Sequence, residues 1–449
     1  MFQQILRSVF PEPLLPRTET QRKRFPLKNL VLHFRPATVP EKTMRLSLTW
    51  GLGGMAATLV LLQLGTGVLL KFAYEPTPVA AYASVQAIIA GMPFGRLIRN
   101  LHHWCAHLLV AMAILHMLRV FFTGAFHPPR QFNWIIGWCL VGTILIANFT
   151  GYLLPWDQLA YWAVTVSTGM LEYMPFAGGY FQQLLREGSE IGPQTLQTFF
   201  ALHTAVVPLV LIGLMAFHFW RIRKARGLVL PRQTDETREE KPIRVPTVPD
   251  LLLREVVAAL VLFATVLLLA TFINAPLAEQ ANPGLSPNPT RAPWYFAGLQ
   301  ELLLHLHPVF AVCIVPFIAV LGLLAIPYLK YDTDTGGIWF ASLVGRKTGI
   351  IAALTGLFLT PVLILMNERL SGRGSNGDTV SPLVTHGVLP MLVLAVIVGF
   401  FYWALKWRFQ ASKNEAIQAV FILLLAAYAV LTVTGVWFRG AGMVLTVPW

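Results

Sequence analysis

The sequence predicts an all-α polytopic membrane protein with about nine transmembrane helices, on three observations. The chain has 449 residues, 55% hydrophobic and only 12% charged, with a mean hydropathy of +0.61; an average soluble protein carries roughly 25% charged residues. Apolar runs near the ~20 residues that cross a ~30 Å hydrocarbon core fall at 46–72, 97–122, 134–154, 198–220, 251–273, 309–329, 348–366, 383–405 and 416–438. Lys and Arg are distributed unevenly between the two sets of connecting segments. With an inside N-terminus, segments 1–45, 119–130, 221–244, 330–347 and 406–413 hold 25 of the 34, and the outer segments hold six. This asymmetry follows the positive-inside rule, so the net charge of +13 marks a cytoplasmic membrane face and not a nucleic-acid partner.

The first span follows some forty-five polar and basic residues, which is not the pattern of a removable signal peptide. The N-terminus is therefore expected inside, as a cytoplasmic segment 1–45. The stretch 231–250 reads as a charged, proline-bearing linker between two helical bundles, with four spans before it in 46–230 and five after it. Two long outer connections, 155–196 and 274–308, are rich in aromatic residues, Pro and Gly; such loops more often carry function than serve as spacers. Cys105, Cys139 and Cys313 all lie within predicted spans, and no CxxC or CxxCH occurs. Disulfides, zinc, iron–sulfur clusters and covalent haem c accordingly lack ligands.

The second span, LHHWCAHLLVAMAILHMLR, is too rich in imidazole for a plain lipid-facing helix. His102 and His116 are 14 residues apart, which on an α-helix brings them within about 40° of one face at depths roughly 21 Å apart. The fourth span repeats the device with His203 and His218, 15 residues apart, about 60° and roughly 22 Å. Both spans run from outside to inside, so each depth receives one imidazole from each helix. Neutral imidazoles on opposite faces of an iron porphyrin give a low-spin, electron-carrying haem, and a helical bundle can hold one. A lone intramembrane His is readily explained by a hydrogen bond to a carbonyl; two matched pairs at compatible depths point to two b-type haems.

Glycine spacing agrees. Gly53 and Gly67 in span one, and Gly137 and Gly151 in span three, repeat the interval of 14. Either pair alone would be read as small residues for close helix packing; both repeating the ligand interval points to room for the macrocycle.

On these residues the sequence resembles cytochrome b of the quinol-oxidising cytochrome bc complexes. The first 230 residues carry the likeness through GLGG…GTG, RNLHHW…LHMLR, ANFTGYLLPWDQLAYWAV and LHTAVVPL…FHFWRIRK, and residues 250–330 more distantly through PWYF. The 15-residue interval and LPWDQ are closer to the split plastid and cyanobacterial type. The resemblance implies an N-terminal four-helix di-haem bundle over 46–230, a quinol-site half over 251–330 and additional helices over 331–449. It implies His102 with His203 on an outer haem and His116 with His218 on an inner one, with Arg99 and Arg119 neutralising propionates or anchoring span ends. His103 and His107 match no ligand position and read as interfacial or core-bonded.

The resemblance also implies an outer quinol site built from Gly151–Trp162, Thr165–Pro175 and Trp294–Glu301. Quinol there gives one electron to a Rieske iron–sulfur protein and one to the outer haem, which passes it to the inner haem and a second quinone site. It implies a c-type cytochrome subunit, bound lipids, a homodimer of complexes, and a bacterial cytoplasmic membrane. Where the family has Pro-Glu-Trp-Tyr, this chain reads Ala292-Pro293-Trp294-Tyr295, so the usual proton-accepting carboxylate is missing. Glu301, Glu172, His305 and His307 are the substitutes to consider; Glu301, two helical turns beyond the motif, is otherwise an interfacial helix-start carboxylate. Trp294 and Tyr295 are read as quinone-pocket residues or as an interfacial belt. No thiol stands near Gly51 for the plastid-type extra haem. The last two spans and the WFRGAGM ending exceed the split type's second half. A di-haem anchor of a hydrogenase or formate dehydrogenase would lack LPWDQ and the glycine spacing. A proton-coupled transporter would need mid-span carboxylates or Lys, which the four ligand-bearing spans do not offer.

Overall fold

The computed structural model describes residues 18–20, 37–225, 227–230, 243–332, 336–371 and 381–446. Most of the expected cytoplasmic segment 1–45 and of the linker 231–250 lies outside these residues. Among the described residues, nine helices are long and apolar enough to cross a membrane, in agreement with the nine predicted runs, and the protein is an all-helical, multi-pass membrane protein.

Among the described residues, the nine spans and one short helix that position the site are α1 Leu52–Lys71, α2 Gly95–Phe122, α3 Gln131–Tyr152, α4 Pro193–Lys224, α5 Thr247–Phe272, the short α6 Trp294–His305, α7 Val309–Tyr328, α8 Leu343–Arg369, α9 Val384–Phe409 and α10 Lys413–Trp437. All but α6 are spans. Within lipid the drive for helices to associate is packing, not exclusion from water, and α2 is the most buried span while α9 is the least. Helix α2 packs on α1, α3 and α5; α4 packs on α3; and α10 holds α8 and α6. An aromatic cluster ties the halves together at the C-terminal end of α2, with Phe121 of α2 and Phe421 of α10 4.5 Å apart between ring centroids.

Spans α7 and α9 open with a π-turn, Val309–Ile314 and Val384–Val388, and α4 carries one in its interior, Leu202–Val206; each is followed two residues later by proline: Pro316, Pro390 and Pro208. Proline has no N–H and its ring crowds the carbonyl one turn earlier, so the helix accommodates an extra residue there. Helix α10 starts on a capping box: Glu415 N donates to Ser412 Oγ at 3.4 Å, and Ser412 N donates to Glu415 Oε2 at 2.7 Å, satisfying two otherwise orphaned donors.

One small departure from the all-helical expectation occurs just ahead of α1 and α5. Thr38–Pro40 pairs antiparallel with Arg244–Pro246, and Arg254 Nη1 donates to Met44 O at 2.6 Å. Backbone groups of two extended segments satisfy one another there, which joins the start of the first bundle to the start of α5.

Candidate functional site

The π-turn Leu202–Val206 contains His203, and this explains the unequal intervals. One extra residue in that turn makes 15 residues of α4 advance like 14 of a regular helix, which restores the roughly 40° offset that His102 and His116 have on α2. The two pairs therefore meet at both depths. His102 and His203 have ring centroids 6.1 Å apart with planes at 81°, and His116 and His218 have theirs 6.4 Å apart at 77°. With metal–imidazole bonds of roughly 2.0–2.1 Å and about 1.2 Å from nitrogen to ring centre, two axial imidazoles on one metal lie about 6.4 Å apart. The donor set and both gaps fit an iron porphyrin between each pair.

Hydrogen bonds set the tautomer of the outer pair. His203 Nδ1 lies 2.9 Å from Ala147 O; a carbonyl can only accept, so Nδ1 carries the proton. Thr66 Oγ1 donates to Leu62 O at 2.6 Å, and its oxygen is left to accept from His102 Nδ1 at 2.9 Å. In both rings the Nε2 lone pair is thereby free for a metal, an outer-shell device that orients axial histidines. At the inner pair, His218 Nδ1 is buried with no partner among the described residues, and so is Arg119 Nη2. An orphaned guanidinium nitrogen in lipid fits an anionic group such as a propionate.

The glycines serve a closer purpose than expected. A Cβ on Gly53 would stand 3.2 Å from His116 Cε1, and one on Gly67 would stand 3.2 Å from His102 Cε1. On Gly151 it would lie 2.9 Å from His203 Nδ1 and nearer still to Cε1. These three make room for the imidazoles themselves. Gly137 faces Met117 Sδ, 2.9 Å from its notional Cβ, and not a histidine.

Arg99 is spent on the outer loop: Nη1 donates to Ala275 O at 2.8 Å and Nη2 to Pro276 O at 2.7 Å. Arg119 Nε donates to Leu48 O at 2.9 Å. The outer loops interlock further at the LPWDQ motif, where Asp157 caps a helix by accepting from Ala160 N at 2.8 Å and also accepts from Ala278 N at 3.0 Å. Gln158 N donates to Glu279 O at 2.8 Å. The two long loops singled out in the sequence thus form one surface.

Trp294 and Tyr295 sit against α2. The indole Nε1 of Trp294 donates to His107 Nδ1 at 3.0 Å, and the Tyr295 ring lies 6.3 Å from that of His107. Burial raises the Tyr295 pKa, so its phenol stays protonated. Glu172 is exposed on the outer loop. Glu301 is fully buried and both its oxygens are occupied: Arg439 Nε donates to Oε2 at 2.9 Å, and His305 Nε2 lies 3.1 Å from Oε1. Burial raises its pKa, but hydrogen bonds from His305 and Arg439 outweigh that and hold the carboxyl below the ordinary range. His305 Nδ1 is taken by Asn367 Nδ2 at 2.8 Å. Arg439, Thr66 and the π-turn were missed in the sequence; Pro208 was the available signal for the turn.

The family model described as cytochrome b/b6/petB matches residues 39–226. Cytochrome b6 of Gracilaria tenuistipitata var. liui is 44% identical over 173 residues, which are 38% of this chain and 80% of that protein. Cytochrome b6 of Chlamydomonas reinhardtii is 43% identical over 173 residues, with the same shares covered. A chain of a hyperthermophilic respiratory Complex III superposes with a TM-score of 0.61 at 22% identity, covering 95% of this chain and 97% of that one, a likeness of fold that extends through the second half.

Proposed function

This chain belongs to the cytochrome b/b6 family, and we propose that it is the cytochrome b subunit of a quinol-oxidising bc-type complex. The observation that carries the reading is the pair of facing imidazoles at each of two depths, 6.1 and 6.4 Å between centroids, with the outer nitrogens already oriented. His102 and His203 are the ligands of an outer b haem, and His116 and His218 those of an inner one. When bound, the haems supply one-electron relays across the membrane.

The chain's own residues supply the rest. Thr66 and the Ala147 carbonyl fix the outer imidazoles, and Gly53, Gly67 and Gly151 let α1 and α3 approach them. Arg119 offers its unpartnered Nη2 to an inner propionate. The interlocked loops at Asp157 and Ala278, with Trp294 and Tyr295, form the wall of an outer quinol site. Glu301 serves to position α6, since both its oxygens are held inside the protein. The first four spans form the di-haem unit and 251–330 the quinol-site half. A Rieske-class iron–sulfur protein and a c-type cytochrome are the electron-accepting partners of a dimeric complex. The chain lies in a bacterial cytoplasmic membrane with a cytoplasmic N-terminus.

The test is a pyridine haemochrome assay and a redox titration of the purified complex. Two b-type haems titrating at separate potentials are expected, both reduced by added quinol; one haem or none would sink the ligand assignment.

A further inference from the structure

Removing an electron from a quinol makes its hydroxyl strongly acidic, so a site that oxidises quinol needs a base within hydrogen-bond reach. Several carboxylates and imidazoles near the motif helix α6 are already committed. Glu301 is sealed between Arg439 and His305, His305 is bonded at both nitrogens, and Glu172 stands exposed on the loop. Tyr295 is held protonated by burial. His107 differs from all of these. It is half-buried on α2, and its Nδ1 lone pair is held by a single indole N–H that belongs to the motif itself, Trp294 Nε1 at 3.0 Å. The carboxylate position beside that indole is Pro293 in this chain.

Resting on the quinol-oxidising reading above, we propose that His107 Nδ1 accepts the quinol's first proton. The Trp294 indole occupies the place that a quinol hydroxyl takes when substrate binds. As one electron passes to a one-electron oxidant of the high-potential iron–sulfur class, the quinol O–H bond breaks and the proton stays on Nδ1. Nε2 already carries a hydrogen, because Nδ1 is the acceptor in the free site, so the product is an imidazolium. With Nδ1 protonated, two N–H groups would face each other, and the indole returns only after the proton has left to outer water. Oxidised substrate and proton thus leave before the site resets.

The titratable groups around His107 are His103 on the same helix, 4.6 Å between ring centroids, and Tyr295 on α6. Tyr152 lies behind Tyr295, and Arg99 acts on His103. None of these is a carboxylate. Only neutral His107 can accept the proton, so turnover falls on the acid side of its pKa.

The experiment compares pH profiles of quinol-driven haem reduction in the intact complex for wild type, His107→Asn and Trp294→Phe, with haem content as the folding control. Asparagine still accepts the indole N–H but does not titrate. His107→Asn is expected to lower kcat about 10²-fold, abolish the acid limb and retain both haems and their potentials. Trp294→Phe removes a bond that favours neutral imidazole, so its acid limb moves to higher pH. An acid limb and rate retained in His107→Asn would overturn the proposal. If that variant loses haem, an unmoved limb in Trp294→Phe overturns it instead. Failure of quinol to reduce the wild-type haems overturns the quinol-oxidising reading itself; normal wild-type reduction with unmoved limbs overturns the His107 assignment alone.

Discussion

Gly151 of α3 and His203 of α4 are in contact so close that the position tolerates no side chain: a Cβ there would stand 2.9 Å from His203 Nδ1 and nearer to Cε1. His203 Nδ1 is bonded to Ala147 O one turn earlier on the same helix, so the ring cannot slide away without losing the bond that sets its tautomer. Gly151→Ala is therefore expected to lower outer-haem occupancy severely and leave the inner haem in place. Gly142→Ala, at a glycine with open space around it, is the matched control and keeps both. Reduced-minus-oxidised spectra with haem-to-protein ratios decide; two haems at full occupancy in Gly151→Ala would mean that α3 and α4 separate without cost.

His203→Ala tests the pairing by depth. Its partner across the gap is His102, 6.1 Å away, while the other pair is formed by His116 and His218. The variant should lose one haem and retain the second with its own potential. Loss of both in a folded protein, or retention of both, would show that the pairs are not independent sites.

Thr66→Val asks whether the outer-shell bond tunes the outer haem. The hydroxyl accepts from His102 Nδ1 at 2.9 Å, which makes the ligand more basic and favours the oxidised metal. Valine keeps the shape and removes the acceptor. A bond worth about 1 kcal/mol that differs partly between oxidation states moves a one-electron potential by some tens of millivolts, given about 59 mV per tenfold change. The outer potential should rise and the inner one stay fixed. An unchanged outer potential would show that Thr66 acts as a spacer.

What could be read from the chain beforehand depended on period. The nine apolar runs and the pairs His102/His116 and His203/His218 repeat along single helices, so spacing alone placed them. The one-residue excess in α4 was visible as 15 against 14, but its cure, the π-turn ahead of Pro208, lies in backbone hydrogen bonding that spacing does not display. Contacts between distant segments were out of reach for a different reason. Trp294 and His107 are 187 positions apart, and Arg439 and Glu301 are 138 apart; no local pattern links such residues. Gly137 carries the same interval, and the neighbour its notional Cβ meets is Met117, a contact on the adjacent helix that the interval does not display.

Glu301 and Arg439 give the last prediction, because they assign a task to the final span. Arg439 follows α10 and is 1% exposed; Glu301 on α6 is 0% exposed. Arg439 Nη1 also reaches Glu368 Oε1 of α8 at 2.7 Å and Met443 O at 2.9 Å. Taking two charges out of water is costly, and removing one partner leaves the other uncompensated, typically a loss of about 3–5 kcal/mol. Glu301→Gln and Arg439→Gln should each lower the melting temperature of the detergent-solubilised complex and slow quinol oxidation by loosening α6, with both haems retained. The apolar double variant Glu301→Leu with Arg439→Met should recover much of the stability, because it removes both buried charges together and leaves Glu368, whose side chain is 36% exposed, to water. The pH dependence has a definite sign. Burial alone would raise the Glu301 pKa, but hydrogen bonds from His305 and Arg439 hold it below the ordinary value of 4.5. The pair's contribution is therefore fully present above the unfolded-state value and is lost as pH falls through the lowered folded one. Wild type should lose stability relative to Glu301→Gln in that acid window, so the gap between their melting temperatures narrows below about pH 4.5. A gap that stays constant from neutral to acid pH would mean that the Glu301 charge does not hold α6 in place.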